Sequence, residues 1–324
     1  MTQSITRWGI LSTALINKKV LAGARQSDAV KVVAVASRDE ERARKYAREH
    51  GIERAHGSYD ALLADPAVEA VYIPLPNGLH HHWTMRALEA GKHVLCEKPY
   101  SRHPSEVAEA FDLADRRGLV LSEAYMYRYN PQIERLKQLV DEGAIGTLRF
   151  VNAAFTWPCD APGDIRLDPA LDGGSLLDVG CYCVSACRLI AGEPISATAQ
   201  QIIGATGVEV RLVGTLAFDN DVLAHFDSGF HLPDRSLLEV VGSEARIVVS
   251  DPWHCLEPGL ELIPQTGSAE RIELPVTNSY TLELEYVGAA SRGEETPLLG
   301  RADALGQART IDTLYRSAAN ATAL

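Results

Sequence analysis

The stretch Val94-Leu95-Cys96-Glu97-Lys98-Pro99 decides how this chain is read. Residues 93–96 are apolar enough for a buried strand, and the run stops at an acid, a base and a proline. Lys98 therefore stands just past a strand's carboxyl end, the edge of an open α/β sheet where ligands bind. Pro99 has no amide hydrogen and fixes its own φ, and it keeps Lys98 out of helical geometry. A lysine held at that mouth can serve a substrate hydroxyl. The alternative is a surface Glu-Lys pair that merely ends a strand, and the flanking segments must choose.

On the amino-terminal side, residues 5–11 read as a strand and Ser12 to Asn17 lead into a helix running to about Ala24. Residues 30–36, Val-Lys-Val-Val-Ala-Val-Ala, are β-branched and apolar, as a buried parallel strand should be. Residues 39–50 are charged and helical, with Gly51 suited to the C-cap. A short helix (59–64), a strand (68–73), a helix (79–90), the Glu97-Lys98-Pro99 strand, a helix (104–117) and a strand (119–123) follow. This alternation predicts a parallel, doubly wound sheet. Its first strand-to-helix turn should meet phosphate at a helix N-terminus. The glycine places of the dinucleotide fingerprint hold Ser12, Ala14 and Asn17, so the motif is weak, although Ser and Ala are the smallest replacements. At the end of the second strand, where an NAD site needs an acid, the chain has Ser37-Arg38. A hydroxyl and a guanidinium suit a 2′-phosphate, which predicts NADP(H) over NAD(H). Asn77, beyond the strand ending near Pro74, can cap the helix expected at Leu79. His80, His81 and His82 are adjacent on a helix, point apart and make no metal site.

On the carboxyl-terminal side the pattern changes. A helix over 130–142 is followed by strand-like runs at 148–156, 195–203, 208–218, 222–228, 236–241 and 245–250, separated by turn signals. They predict a second, largely antiparallel domain. One helix interrupts them: Gly173-Gly174-Ser175-Leu176-Leu177-Asp178-Val179-Gly180-Cys181-Tyr182. Asp178 and Tyr182, four apart, share a face, and in an apolar helix both need partners. They could be a purely structural hydrogen-bonded pair or part of a site. Cys181, Cys183 and Cys187 lack the His or acid that would complete a metal tetrad, and small packing residues explain them. Helices over 279–291 and 302–317 end the chain.

The chain's 324 residues suffice for about two domains. With 46% hydrophobic and 23% charged residues it can build a core, which argues against disorder. A formal net charge of -12 argues against a nucleic-acid partner, which needs clustered Lys and Arg. No apolar run approaches the roughly 18 residues of a membrane span, and residues 1–7 show no leader pattern. Six cysteines in a chain this long are no disulfide framework, so a reducing cytoplasm is the expected home.

Four motifs in order, Pro76-Asn77-x-x-His80, Glu97-Lys98-Pro99, Glu123-Ala-Tyr-Met-Tyr-Arg128 and Gly173-Gly174-x-Leu-x-Asp178-x-Gly-x-Tyr182, resemble the glucose-fructose oxidoreductase/inositol dehydrogenase/MocA family. The similarity runs from Arg7 to the last helix, and it is greatest toward the NADP-dependent aldose 1-dehydrogenases and dimeric dihydrodiol dehydrogenases. It implies a dinucleotide-binding domain over residues 1–123 and a substrate-binding and dimerisation α/β domain over 124–300. A last helix over 301–324 is expected to pack back on the first domain. It further implies a homodimer, or a dimer of dimers, built on the open sheet face. By the same resemblance Lys98, Asp178 and Tyr182 form the catalytic group, and Arg128 joins them against a sugar or diol substrate. The cofactor would be held by Ser12, Thr13, Ala14, Ile16, Ser37, Arg38, Pro74, Asn77, His80, Glu97 and Lys98. Asn130 stands where many relatives have His. In this reading Tyr182 is the acid/base, with the Lys98 ammonium favouring its phenolate and Asp178 orienting the hydroxyl or the lysine. The roles of Tyr182 and Lys98 could be exchanged.

Overall fold

The computed structural model describes residues 4–320; residues 1–3, part of the stretch read for a leader, and 321–324 lie outside it. The chain divides into two compact units. One runs through Met126 and includes Ser279–Leu305, and the other holds Tyr127–Asn278 and the chain from Gly306 on.

The first unit is the parallel α/β domain. Strands β1 (Thr6–Leu11), β2 (Val30–Ala36), β3 (Arg54–His56), β4 (Ala70–Ile73), β5 (His93–Glu97) and β6 (Leu121–Ala124) form a sheet in the order β3-β2-β1-β4-β5-β6. Every pairing in it is parallel. The order reverses between β1 and β4, and ligands bind outside the carboxyl ends of the strands at such a point. Helices α1 (Asn17–Ala24), α2 (Glu40–His50), α3 (Tyr59–Leu63), α4 (His80–Glu89) and α5 (Pro104–Arg117) connect the strands. The boundaries of α2 follow from local chemistry. The Asp39 carboxylate accepts the Arg42 N–H at 2.8 Å, Glu40 and Glu41 complement the helix dipole, and Gly51 takes the left-handed C-cap at φ 71°. Helix α4 begins at His80, after a 3₁₀ turn over Asn77–Leu79, so Asn77 opens that turn and does not cap a helix at Leu79. Strand β3 carries no apolar run because it is three residues long and partly exposed at the sheet's edge.

Behind this sheet Asp65 is a buried hub. Its carboxylate accepts from the Ala67 N–H at 2.9 Å, faces His56 Nε2 at 3.0 Å and Arg54 Nη1 at 3.3 Å, and its carbonyl accepts from Lys92 Nζ. Burial opposes its charge, but the Ala67 amide, His56 and Arg54 outweigh it and hold the carboxyl below its ordinary value. Stability gained this way is present above the unfolded-state pKa and is lost as pH falls through the folded one. Asp65→Asn is expected to destabilise the protein by about 1–3 kcal/mol at neutral pH, with the difference closing at pH values below the carboxylate range. Urea midpoints at the two pH values check this; equal midpoints at neutral pH would refute it.

The second unit is built on an eight-stranded sheet. Its strands are β7 (Leu148–Thr156), β8 (Ser196–Ile203), β9 (Glu209–Ala217), β10 (Leu223–Gly229), β11 (Arg235–Gly242), β12 (Ala245–Ser250), β13 (Gly259–Pro264) and β14 (Glu270–Glu273), in the order β14-β13-β12-β11-β7-β10-β9-β8. All pairs are antiparallel except β7 with β10. Helices α6 (Pro131–Asp141) and α7 (Cys181–Ala191) belong to this unit, and α7 packs on β7 and β10. Alternation along β9 buries Val210, Leu212 and Leu216 while Arg211, Val213 and Thr215 face outward. On the same outer face Ile202 of β8 and Leu223 of β10 are half-exposed with Val213, among polar neighbours such as Arg211 and Thr215.

Two remaining helices divide differently from the reading that residues 124–300 form one domain and 301–324 return to the first. Helix α8 (Ser279–Ser291) belongs to the first unit, where Thr281 Oγ1 donates to the Gly23 carbonyl at 2.9 Å. Helix α9 (Arg301–Asn320) passes to the second unit from Gly306 on. There Gln307 Nε2 donates to the Cys181 carbonyl at 2.8 Å, and Ser317 Oγ accepts the Ala199 N–H. An apolar stripe shows that a helix is buried but not which core receives it. Residues 169–191 are long and apolar enough to cross a membrane, with mean hydropathy 1.3, contrary to the reading from residue runs. Of the most apolar 18-residue window within them, 78% is buried inside the protein, as in a core segment.

Candidate active site

The carboxyl edge of the parallel sheet gathers the cofactor candidates of the first unit. In the β1–α1 turn, Ser12 occupies a glycine place. Its Oγ donates to the Pro74 carbonyl at 3.2 Å and accepts the Ala14 N–H at 3.1 Å, which ties the turn to the end of β4. Asn17, in another glycine place, donates from Nδ2 to the Ser12 carbonyl at 2.8 Å. Side-chain hydrogen bonds thus hold the loop that glycines would otherwise permit, with Thr13, Ala14 and Ile16 partly exposed ahead of the helix N-terminus. Pro74 is buried and contributes its carbonyl.

At the end of β2, Ser37 is buried and Arg38 exposed. One turn into α2, Arg42 projects a second guanidinium, and among the described residues neither Arg38 nor Arg42 pairs with a carboxylate. Both lie near the Tyr59 hydroxyl. Burial raises that phenol's pKa, and the two positive charges act against the rise. A Cβ at Gly57 would lie 2.9 Å from Glu40 Cβ, so the β3–α3 turn presses against the start of α2. Two unpaired cations beside a buried hydroxyl, in a chain of net charge -12, fit a phosphate monoester on a ribose.

Lys98 follows β5 and is partly exposed, with a cis peptide bond to Pro99. Its N–H lies 3.3 Å from Glu97 Oε2, and Glu97 Oε1 accepts the Tyr72 hydroxyl at 2.5 Å. Burial, and then the Glu97 charge, push the Glu283 carboxyl well above the usual range. His80, expected to touch the cofactor, has no exposed surface. Its Nδ1 lies 3.0 Å from the Pro99 carbonyl and its Nε2 2.8 Å from that of Leu75. Burial lowers its pKa and the hydrogen bonds to the two carbonyls act against the fall, while the ring, set between them, braces the corner that carries Lys98.

In the second unit, the segment expected to be one regular helix begins as a π-helical turn, Leu176–Gly180, before α7. The Cys181 N–H reaches back to the Leu176 carbonyl, five residues away. The wider turn changes how Asp178 and Tyr182 are phased, and such turns recur at functional sites. Both side chains are partly exposed on a segment whose residues 176–188 are otherwise buried. The Tyr182 ring packs against Tyr127 (5.6 Å between centroids), Phe155 (5.6 Å) and the fully buried Trp253 (6.0 Å). Asp178 accepts from Trp157 Nε1 at 2.9 Å and from Arg166 Nε at 3.2 Å. Arg128 Nη1 reaches Ser185 Oγ on α7 at 3.3 Å.

Asn130 is fully buried. It caps α6 through the Gln132 N–H and donates to Thr277, so it has a structural role. The Gly173-Gly174 pair is explained by crowding. A Cβ at Gly173 would lie 2.4 Å from the Arg166 carbonyl oxygen, and one at Gly174, where φ is +133°, would lie 2.1 Å from Glu209 Oε2. That buried Glu209 accepts the Leu176 N–H at 2.7 Å. The helix cysteines are buried, and burial pushes the Cys187 thiol up to about 12. Among the described residues no group of three His, Cys, Asp or Glu could hold a metal ion. Trp157, Arg166 and the aromatic wall went unnoticed in the sequence, because they are scattered over strand ends and a loop with no spacing motif.

Two family models match the chain. The oxidoreductase family with an NAD-binding Rossmann fold matches residues 6–125, and the GFO/IDH/MocA C-terminal domain matches residues 133–248. A D-xylose 1-dehydrogenase (NADP(+)) of Haloferax volcanii is 41% identical over 324 residues, covering 98% of each chain. A trans-1,2-dihydrobenzene-1,2-diol dehydrogenase of Sus scrofa is 36% identical over 287 residues, 86% of this chain and 83% of that one. A 3-ketoreductase from Actinomadura kijaniata, solved with NADP and TDP-benzene, superimposes with a TM-score of 0.89 at 31% identity, over 97% of this chain and 98% of its own. With matches this extensive to both units, the chain belongs to the GFO/IDH/MocA oxidoreductase family.

Proposed function

We propose that the protein is an NADP(H)-dependent oxidoreductase acting on a CH–OH group of a sugar or cyclic diol, in the manner of an aldose 1-dehydrogenase. The observation that carries this reading is the pair of partly exposed polar side chains, Asp178 and Tyr182, on a helix otherwise buried, in a chain whose dinucleotide sheet ends in Lys98. Full-length similarity to an NADP-dependent xylose dehydrogenase supports the substrate class. The bound nicotinamide supplies the hydride acceptor or donor. The chain supplies a proton path and position. Tyr182 takes the hydroxyl proton as its acid/base, Asp178 and Arg128 orient the hydroxyl-bearing substrate, and Lys98 is the other candidate for the acid/base role. Similarity to the 3-ketoreductase favours, as a second reading, the reverse direction on a keto-sugar. Activity in both directions over a panel of aldoses, inositols and trans-diols with NADP and NAD tests the reading. No turnover with any of them would leave a dinucleotide-binding protein without catalysis and refute it.

Cofactor preference is the part of this reading that direct binding can test. Arg38→Ala is expected to weaken NADPH about tenfold or more while leaving NADH within about twofold, because a charge-assisted contact to the 2′-phosphate is lost. Equal losses for both cofactors in a fluorescence titration would sink it. The reading also has two copies pairing through the outer face of the β8–β10 region, where Ile202, Val213 and Leu223 are half-exposed. It places the protein in a reducing cytoplasm, in keeping with six buried cysteines that make no disulfide framework.

A further inference from the structure

Arg166 stands in a loop with no diagnostic motif, yet four groups converge on it. Its Nε donates to Asp178 Oδ1 at 3.2 Å, and its Nη1 donates to Asp164 Oδ1 at 3.2 Å. Its guanidinium lies 5.2 Å over the Trp157 ring, whose own Nε1 donates to the other oxygen of Asp178. Its main chain is engaged as well, since its carbonyl accepts the Gly174 N–H at 2.9 Å. The loop is therefore joined to the turn carrying Asp178 by a side chain and by backbone. The same loop also walls a cleft of about 510 Å³ in the second unit, lined by Asp160, Asp164, Leu167, Asp168, Val210 and His231 among others. That volume falls within the range of small-molecule pockets. Asp164 belongs to both the cleft wall and the Arg166 network.

We propose that Arg166, braced by Trp157, is the positioning residue for Asp178, and that it latches residues 160–172 to the catalytic turn as one hydrogen-bonded unit. The proposal rests on the role given to Asp178 above. Trp157 and Arg166 approach the two carboxylate oxygens separately, which fixes the plane of the carboxylate as well as its position. A carboxylate so held presents one geometry to a substrate hydroxyl, and misplacement of such a group is costly to rate. Because Arg166 also holds Asp164, a sugar or diol that moves the cleft wall acts on Asp178 through a single guanidinium. Residues 160–172 thereby influence turnover as well as substrate fit.

The test uses the full chain and three variants. Arg166→Met keeps the aliphatic stem without charge or donors, Arg166→Lys keeps the charge with a different donor geometry, and Trp157→Phe removes the N–H and the pyrrole half of the indole but leaves an aromatic ring under Arg166. Arg166→Met is expected to lower kcat about 10²-fold with NADPH binding unchanged, and Arg166→Lys to recover part of the loss. Trp157→Phe should lose a smaller factor in kcat. A rise in sugar KM with kcat within about twofold of wild type in both Arg166→Met and Trp157→Phe would overturn the proposal and make Arg166 a plain substrate contact. Should Arg166→Met fail to fold, Trp157→Phe decides, because it keeps an aromatic ring at that place and leaves the Arg166 ion pairs with Asp164 and Asp178 intact. Hydrogen exchange of residues 160–172 supplies a readout that needs no turnover. Arg166→Met and Asp178→Asn should each speed it about tenfold, and the double variant should be no faster than either single one. Additive effects would overturn the latch. A wild type inactive on the whole panel would refute the proposed function, while the exchange cycle still decides the latch.

Discussion

Tyr182→Phe is expected to leave the protein folded and to lose about 10²-fold or more in kcat, the contribution of a positioned acid/base group. Only the hydroxyl changes. The ring's packing on Tyr127, Phe155 and Trp253 remains, so the aromatic wall that shapes this part of the second unit should survive. Those contacts are what make the variant informative: thermal melting and NADPH binding should stay near wild type while the chemical step fails. A variant that unfolds would return Tyr182 to a structural hydrogen bond. Full activity in a folded variant would pass the acid/base role to Lys98.

Lys98→Ala is expected to abolish most turnover, by about 10²–10⁴-fold, while cofactor binding measured by fluorescence stays largely intact. Truncation leaves the local frame in place. The residue-98 N–H still faces Glu97 Oε2, Tyr72 still donates to Glu97, and His80 still holds the Pro99 carbonyl. The loss should therefore fall on kcat and should not be accompanied by a shift in stability. Wild-type turnover in the variant would make Glu97-Lys98-Pro99 the plain end of a strand. Loss of NADPH binding in parallel with kcat would assign Lys98 to the cofactor instead of the proton path.

Much was legible in the sequence because it is written locally. Alternating apolar strands and capped helices determined the parallel sheet, with α5 and β7 recovered at their observed ends. The place of Ser37-Arg38 just past β2 was legible because the strand before it is an almost unbroken apolar run. The positions of Lys98, Asp178 and Tyr182 were legible as motifs, since each is a fixed offset from a glycine, a proline or a strand end. Strand β3 and strands β13 and β14 were not, because short strands without clean alternation carry little periodic signal.

What only the tertiary structure decided is every relation that depends on partners distant in the chain. The π-helical turn at Leu176–Gly180 has no local signature, and its first N–H is met by Glu209, thirty-three residues on. His80 looked like a ligand contact from its motif, but burial between the carbonyls of Leu75 and Pro99 makes it a brace. Asn130 became a helix cap because its carboxamide meets Gln132 and Thr277. Helices α8 and α9 fall in opposite units because an apolar stripe encodes burial and leaves the choice of core to packing. Arg166 acquires its place from Asp164, Trp157 and Asp178 together, and a hydrogen bond between such residues exists only after the chain has brought them within about 3 Å.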